Sequence, residues 1–196
     1  MWAKTLNLTS DDKYLLMGGD WLNDKIVDNV NSLVSKHLGN NTAQTTLLSQ
    51  SAHGFKAVTQ DSMQVLYDNN HWVASACVKG EIVIANSLGN VVSAFVMKQL
   101  KELYAPLLVG TGGLHYVTVV ECAQQPNGND CGVFAAAFVF EWATLSIDAN
   151  LSVKFNIPLM RAHLAQCLEK ETVLPFPKVP TTRSCRPRVT HKVPVF

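Results

Sequence analysis

A chain of 196 residues that is 47% hydrophobic and only 16% charged holds enough apolar material to bury a core, which excludes a disordered or fibrous polypeptide. Its net charge of +1, with no basic stripe interleaved with aromatics, excludes a dedicated nucleic-acid binder, and no run nears the roughly 20 apolar residues of a membrane span. Five cysteines, odd in number and without a CxxC pair, argue against a disulfide framework or a zinc knuckle, so reduced thiols and an intracellular setting, cytoplasm or nucleus, are expected.

The first residues, MWAKTLNLTSDD, lack the apolar region of a signal peptide. In LNDKIVDNVNSLVSKHL the apolar positions Ile26, Val27, Val30, Leu33, Val34 and Leu38 recur at helical spacing, with Asn23 as N-cap and Asp24 in the first turn. Leu22 and Val27 suit a hydrophobic staple, which leaves Trp21 just outside the helix. MQVLY, WVASACV and EIVIANS are short β-prone runs, the last two joined by a Lys79-Gly80 turn. VVSAFVMKQLKELYAPLL has helical periodicity up to Pro106, and HYVTVVECA is dense in β-branched residues and predicts a strand.

CGVFAAAFVFEWATL is apolar on nearly every side until Glu141, which fits a helix buried at the centre of the domain. PLMRAHLAQCLEK predicts a last helix with Pro158 in its first turn. This order predicts a single α+β domain over 1–177. From Val173 to Phe196 the chain has five basic residues, no acidic ones and five of its eight prolines. The segment 178–196 is therefore expected to be a basic, Pro-rich tail, either an extended strap or a disordered end, outside the core.

Cys131 begins the predicted central helix, behind the turn and cap formers Pro126, Asn127, Gly128, Asn129 and Asp130. A helix start offers unpaired N–H groups and a positive dipole end, so an ionised sulfur is expected there, as for a nucleophile. A buried structural cysteine fits the same position. A thiol nucleophile needs a base and a group that orients the base. His71 stands at the entrance of one predicted strand and Asn86 at the end of the next, so neighbouring strands can set them side by side. A surface histidine and a turn asparagine are the alternatives. The other histidines have no comparable companions.

Trp21-Leu22-Asn23-Asp24 opening a helix, His71-Trp72 at a strand, Asn86-Ser87-Leu88-Gly89, and Gln125-Pro126-Asn127 followed by Asp130-Cys131-Gly132 together resemble the ubiquitin-like-protein-specific proteases, the sentrin/SUMO protease family. The resemblance runs from about Trp21 to Pro177, and MRAHLAQCLEK followed by PFP is similar to divergent, transposon-associated animal members. It implies a papain-like cysteine peptidase fold of the adenain type, with a central apolar helix packed against a mostly antiparallel sheet. It also implies Cys131 as nucleophile, His71 as general base, Asn86 where most members have aspartate, and Gln125 as the oxyanion-hole side chain beside the Cys131 N–H. Trp21 would roof the slot that admits a C-terminal Gly-Gly tail, with Trp72 packing beneath the site on the substrate side. Asp130 reads as a cap-like or turn-fixing residue rather than a catalytic one.

The implied activity is that of a deubiquitinase or isopeptidase acting on ubiquitin, SUMO or NEDD8, as a monomer and with no metal or cofactor. Two other readings keep the fold: an acetyltransferase, for which the body offers no basic cluster to bind acetyl-coenzyme A, and a catalytically impaired binder of a ubiquitin-like protein.

Overall fold

The computed structural model describes residues 1–108, 115–180 and 189–195. Two helices come first: α1 (Ser10–Gly18) and α2 (Asp24–His37). A hairpin pair and a third strand follow as β1 (Ser62–Tyr67), β2 (Trp72–Val78) and β3 (Glu81–Ala85). Then come α3 (Ala94–Tyr104), β4 (Tyr116–Val120), α4 (Cys131–Thr144), α5 (Ile157–Lys170) and β5 (Val189–Pro194). The strands form one sheet in the order β1-β2-β3-β4-β5, antiparallel except for the β3/β4 pair. This is the mostly antiparallel α+β arrangement expected from the sequence.

Asn23 caps α2 as predicted, its side chain accepting the Ile26 N–H at 2.9 Å. α1 was not predicted. It starts on a capping box in which Thr9 and Asp12 each bond the other's backbone N–H, and ends on Gly19 in the left-handed conformation. Two tight turns set the strand register. Lys79 and Gly80 both have positive φ between Val78 and Glu81, the type I′ geometry that matches the right-handed twist of a hairpin. Asn69 and Asn70 also have positive φ, and the Asp68 N–H bonds the His71 carbonyl at 2.7 Å. The Asn-Asn turn thus fixes His71 as the residue that opens β2.

The sheet is buried on both faces, because alternate residues of each strand feed two different clusters. Ala74 and Ala76 of β2 face α2 and α4, and these small side chains let the all-apolar α4 lie against β1 and β2. Val73 and Cys77 face α3, whose Tyr104 hydroxyl shares a 3.0 Å hydrogen bond with Ser75. Glu141, fully buried near the end of α4, accepts the Phe176 N–H at 3.1 Å and pairs with Lys178. A buried carboxylate is tolerable only with such partners, and these pin residues 176–178 to the core.

The tail departs from expectation. Residues 189–194 supply the edge strand β5, antiparallel to β4 from Tyr116↔Pro194 to Val120↔Val189. VTHKVP places β-branched residues along an edge, where a terminal proline costs no central ladder bond. Arg183, Cys185, Arg186 and Arg188 lie outside the described residues.

Candidate active site

Four segments meet at the start of α4: the β2 entrance with His71, the β3 exit with Asn86, the 125–130 turn, and the Trp21–Asn23 approach to α2. His71 Nε2 and Asn86 Oδ1 are 2.8 Å apart. Asn86 Oδ1 also accepts the Leu88 N–H at 2.9 Å, while its amide nitrogen reaches the Val91 carbonyl at 3.4 Å. A backbone N–H can only donate, so the Leu88 contact fixes which end of the Asn86 amide carries the oxygen. It follows that His71 Nε2 carries a proton and donates it to Asn86, so the neutral imidazole has its lone pair on Nδ1. That Nδ1 is buried and makes no hydrogen bond. A buried polar atom without a partner calls for an explanation, and a basic nitrogen placed to take a proton is one a reaction can use.

Cys131 is the first residue of α4 and is buried. Its sulfur is approached by the backbone N–H of Trp72, of Gly132 and of Cys131 itself, which brings the thiol against the strand entrance that His71 opens. Burial pushes the Cys131 thiol up from its ordinary value, those three donors pull it back, and Asp130 adds a further push upward. The expectation of a sulfur held ionised by the helix start alone is therefore corrected: desolvation outweighs the N–H donors and favours the thiol. No hydrogen bond joins the Cys131 thiol to the imidazole, since His71 Nδ1 is without a partner. Catalytic hydrogen bonds of this kind commonly close only when substrate is bound.

Gln125 is buried and held from both sides. Its Oε1 accepts the Ser87 hydroxyl at 2.6 Å, its Nε2 donates to the Asn127 carbonyl at 2.6 Å, and its own N–H bonds the Ser87 carbonyl. One hydrogen of the carboxamide is thereby spent and the other remains for an oxyanion. Asn127 Oδ1 accepts the N–H of Asn129 and of Asp130, an Asx turn that points the chain into α4. Asp130 makes no side-chain cap bond. Its carboxylate takes the Asn127 amide at 2.8 Å and Arg161 at 2.7 Å, so it fixes the turn, as expected.

The two tryptophans differ. Trp21 is 46% exposed, with its indole N–H donated to Gly128 O (2.8 Å) and Asn129 Oδ1 (2.9 Å), so the ring lies open beside the turn. Trp72 is only 7% exposed and donates its indole N–H to the Leu22 carbonyl at 2.9 Å. That burial leaves little surface for a substrate and makes Trp72 the bolt between β2 and the entry to α2. Gly132 sits where a Cβ would come within 3.0 Å of Leu22, so the two helix starts are in close contact. Arg161, in α5, went unnoticed in the sequence, because nothing local marks it. Among the described residues no three His, Cys, Asp or Glu side chains converge to hold a metal.

No protein-family model matches the chain, and no curated protein matches it by sequence. Solved structures do. The chain superposes on the SUMO protease Ulp1 with its catalytic cysteine oxidised to a sulfinic acid at a TM-score of 0.68, with 18% identity over 87% of each chain. The sulfenic-acid form of the same protease gives 0.62, 21% and 84% of each. The C-terminal Ulp1 protease domain in complex with Smt3, the yeast ortholog of SUMO, gives 0.57 and 19%, over 84% of this chain and 83% of that one. At these identities the shared property is the fold, which is the papain-like peptidase fold expected from the sequence.

Proposed function

We propose that the chain is a cysteine peptidase or isopeptidase that cleaves after the C-terminal diglycine of ubiquitin or of a ubiquitin-like modifier of the SUMO or NEDD8 type. One observation carries this reading: an imidazole whose Nε2 proton is locked onto Asn86 and whose Nδ1 is bare, buried and unbonded, at the strand entrance that meets the Cys131 thiol. The fold shared with SUMO proteases supports it.

In this reading, Cys131 Sγ attacks the scissile carbonyl carbon while its proton passes to His71 Nδ1. Burial that favours the thiol makes proton transfer to the base part of the attack. The oxyanion that forms takes the Cys131 N–H and the remaining Gln125 carboxamide hydrogen. The imidazolium returns its proton to the departing lysine amine, the C–N bond breaks, and a thioester remains. Water adds to that thioester with His71 again as base, releasing the carboxylate and restoring the thiol. Asn86 keeps the imidazole in the useful tautomer throughout, without the negative charge an aspartate would add. Trp21, open beside the turn, narrows the path so that residues without Cβ pass.

The test is a panel of ubiquitin, SUMO and NEDD8, each ending in propargylamide. The expected outcome is a covalent adduct with at least one of them, lost in Cys131→Ala, and the ranking of the three identifies the modifier. Stoichiometric binding with no adduct would make the chain a binder rather than an enzyme. Neither binding nor capture would overturn the reading altogether.

A further inference from the structure

Arg161 projects from the first half of α5, far in sequence from every residue of the candidate site, yet its side chain is only 13% exposed and all its bonds run to that site's walls. Nε and Nη2 both reach Asp130 Oδ1, at 2.9 and 2.7 Å. Nη1 donates to the Leu16 carbonyl at 2.7 Å, and Nη2 also donates to the carbonyls of Asp20 (2.8 Å) and Asn129 (3.3 Å). Leu16 and Asp20 flank the α1 terminus that leads directly into Trp21. Asn129 and Asp130 belong to the turn that delivers Cys131 and receives the Trp21 indole N–H. One guanidinium thus grips both sides of the gap that Trp21 spans.

We infer that Arg161 is a positioning residue that sets the distance between the Trp21 wall and the turn before Cys131, and thereby the width of the substrate slot. Burying a guanidinium is costly, and only a complete set of acceptors offsets it. Here all three guanidinium nitrogens are engaged, by one carboxylate and three carbonyls from two separate segments, a geometry lysine cannot reproduce. The acceptors are carbonyls at a helix end and in a turn, so the guanidinium ties the end of α1 directly to the turn that delivers Cys131. This inference rests on the diglycine reading only for its consequence, slot width; the clamp itself is independent of any activity.

Two measurements separate them. In the NMR spectrum the Trp21 indole N–H, assigned with Trp21→Phe, is expected to lose its hydrogen-bonded position in Arg161→Met and in Arg161→Lys, while the Trp72 and Trp142 resonances stay put and report an intact fold. An unmoved Trp21 resonance overturns the clamp whatever the activity. Should Arg161→Met not fold, Asp130→Asn, which keeps the arginine and its carbonyl acceptors, carries the same comparison. The second measurement is the ratio of kcat/KM for modifier ends in Gly-Gly against Ala-Gly. Loosening the slot should reduce that ratio by about tenfold, the scale of one methyl in a tight pocket. A displaced Trp21 with an unchanged ratio would overturn the role in selectivity, whereas wild-type protein inert toward both ends would overturn the diglycine reading and leave the clamp to the resonance.

Discussion

Asn86 Oδ1 accepts from both His71 and Leu88, so it orients the imidazole and anchors the loop that follows β3. Asn86→Asp preserves both acceptors and adds charge beside Nε2, and turnover of an activated coumarin substrate is expected to hold or rise. Asn86→Ala removes the orienter, and kcat should drop by about 10² or more, as for wrong-tautomer variants of other nucleophile-base pairs. An alanine variant as fast as wild type would mean that Asn86 does not orient His71. Gln125→Ala leaves the oxyanion one donor short and frees the Ser87 hydroxyl, and the expected fall in kcat is about 10²- to 10³-fold with KM little changed. The candidate positions Cys131, His71 and Asn86 could be picked out in the sequence because each sits at the junction of a turn with a strand or helix, and such junctions leave local marks, whereas Gln125 was singled out only by the family resemblance. The tautomer was not legible, since it depends on the Leu88 N–H. Nor was Arg161, whose partners lie up to 145 residues away. The charge state of Cys131 was misjudged for a related reason: helix position is written in the sequence, whereas desolvation depends on what packs around the sulfur.

The elements that were foreseen are those with strong periodicity or β-branched density: α2, β1 to β4, α3, α4 and α5. α1 escaped because Tyr14-Leu15-Leu16-Met17 is a contiguous apolar block rather than a spaced stripe, and of its nine residues only Asp12 and Leu16 are buried. Its fold comes from Asp12, which bonds Thr9, Asn23 and Lys25 and so ties the start of α1 to the start of α2. β5 escaped because its prolines and charges are those of a tail, and its pairing depends on β4 being at hand. The turn between β1 and β2 makes a prediction at this scale. Asn69 and Asn70 both adopt positive φ, which asparagine tolerates and β-branched residues do not. Asn70→Val should cost about 1 to 2 kcal/mol by urea unfolding and lower kcat along with stability, since the turn aims His71. Asn70→Gly should keep both. A valine variant with wild-type stability would show that this turn does not fix the start of β2.

The whole molecule has a pH range set by groups whose folded environment differs from water. Burial alone would raise the Asp12 carboxyl, but the Thr9 N–H, Lys25, Asn23 and the Thr9 hydroxyl outweigh it and hold it at about 2 against an ordinary 3.8. A depressed carboxyl stabilises the fold above its unfolded value. That contribution, about 2 kcal/mol, is lost as pH falls from 3.8 toward 2. On the alkaline side the signs reverse. Burial pushes the Cys77 thiol up from 9.0 to about 12, with Asp61 adding to the push and the Gly80 N–H opposing it. Burial does the same at Cys122, whose S–H donates to the Asn86 carbonyl at 3.2 Å. The folded chain keeps these protons after the unfolded chain has released them, so their share of stability is complete below pH 9 and lost between pH 9 and about 12. Each thiol contributes about 1.4 kcal/mol of lost stability per pH unit across that window. Cys77→Ala leaves a small cavity and is expected to be less stable than wild type at neutral pH, but its decline with rising pH should be shallower by one thiol's share. Urea midpoints of the two proteins, measured at intervals above pH 9 under reducing conditions, test this. Parallel declines would mean that the Cys77 proton is not retained by the fold and that the face of the sheet toward α3 admits water.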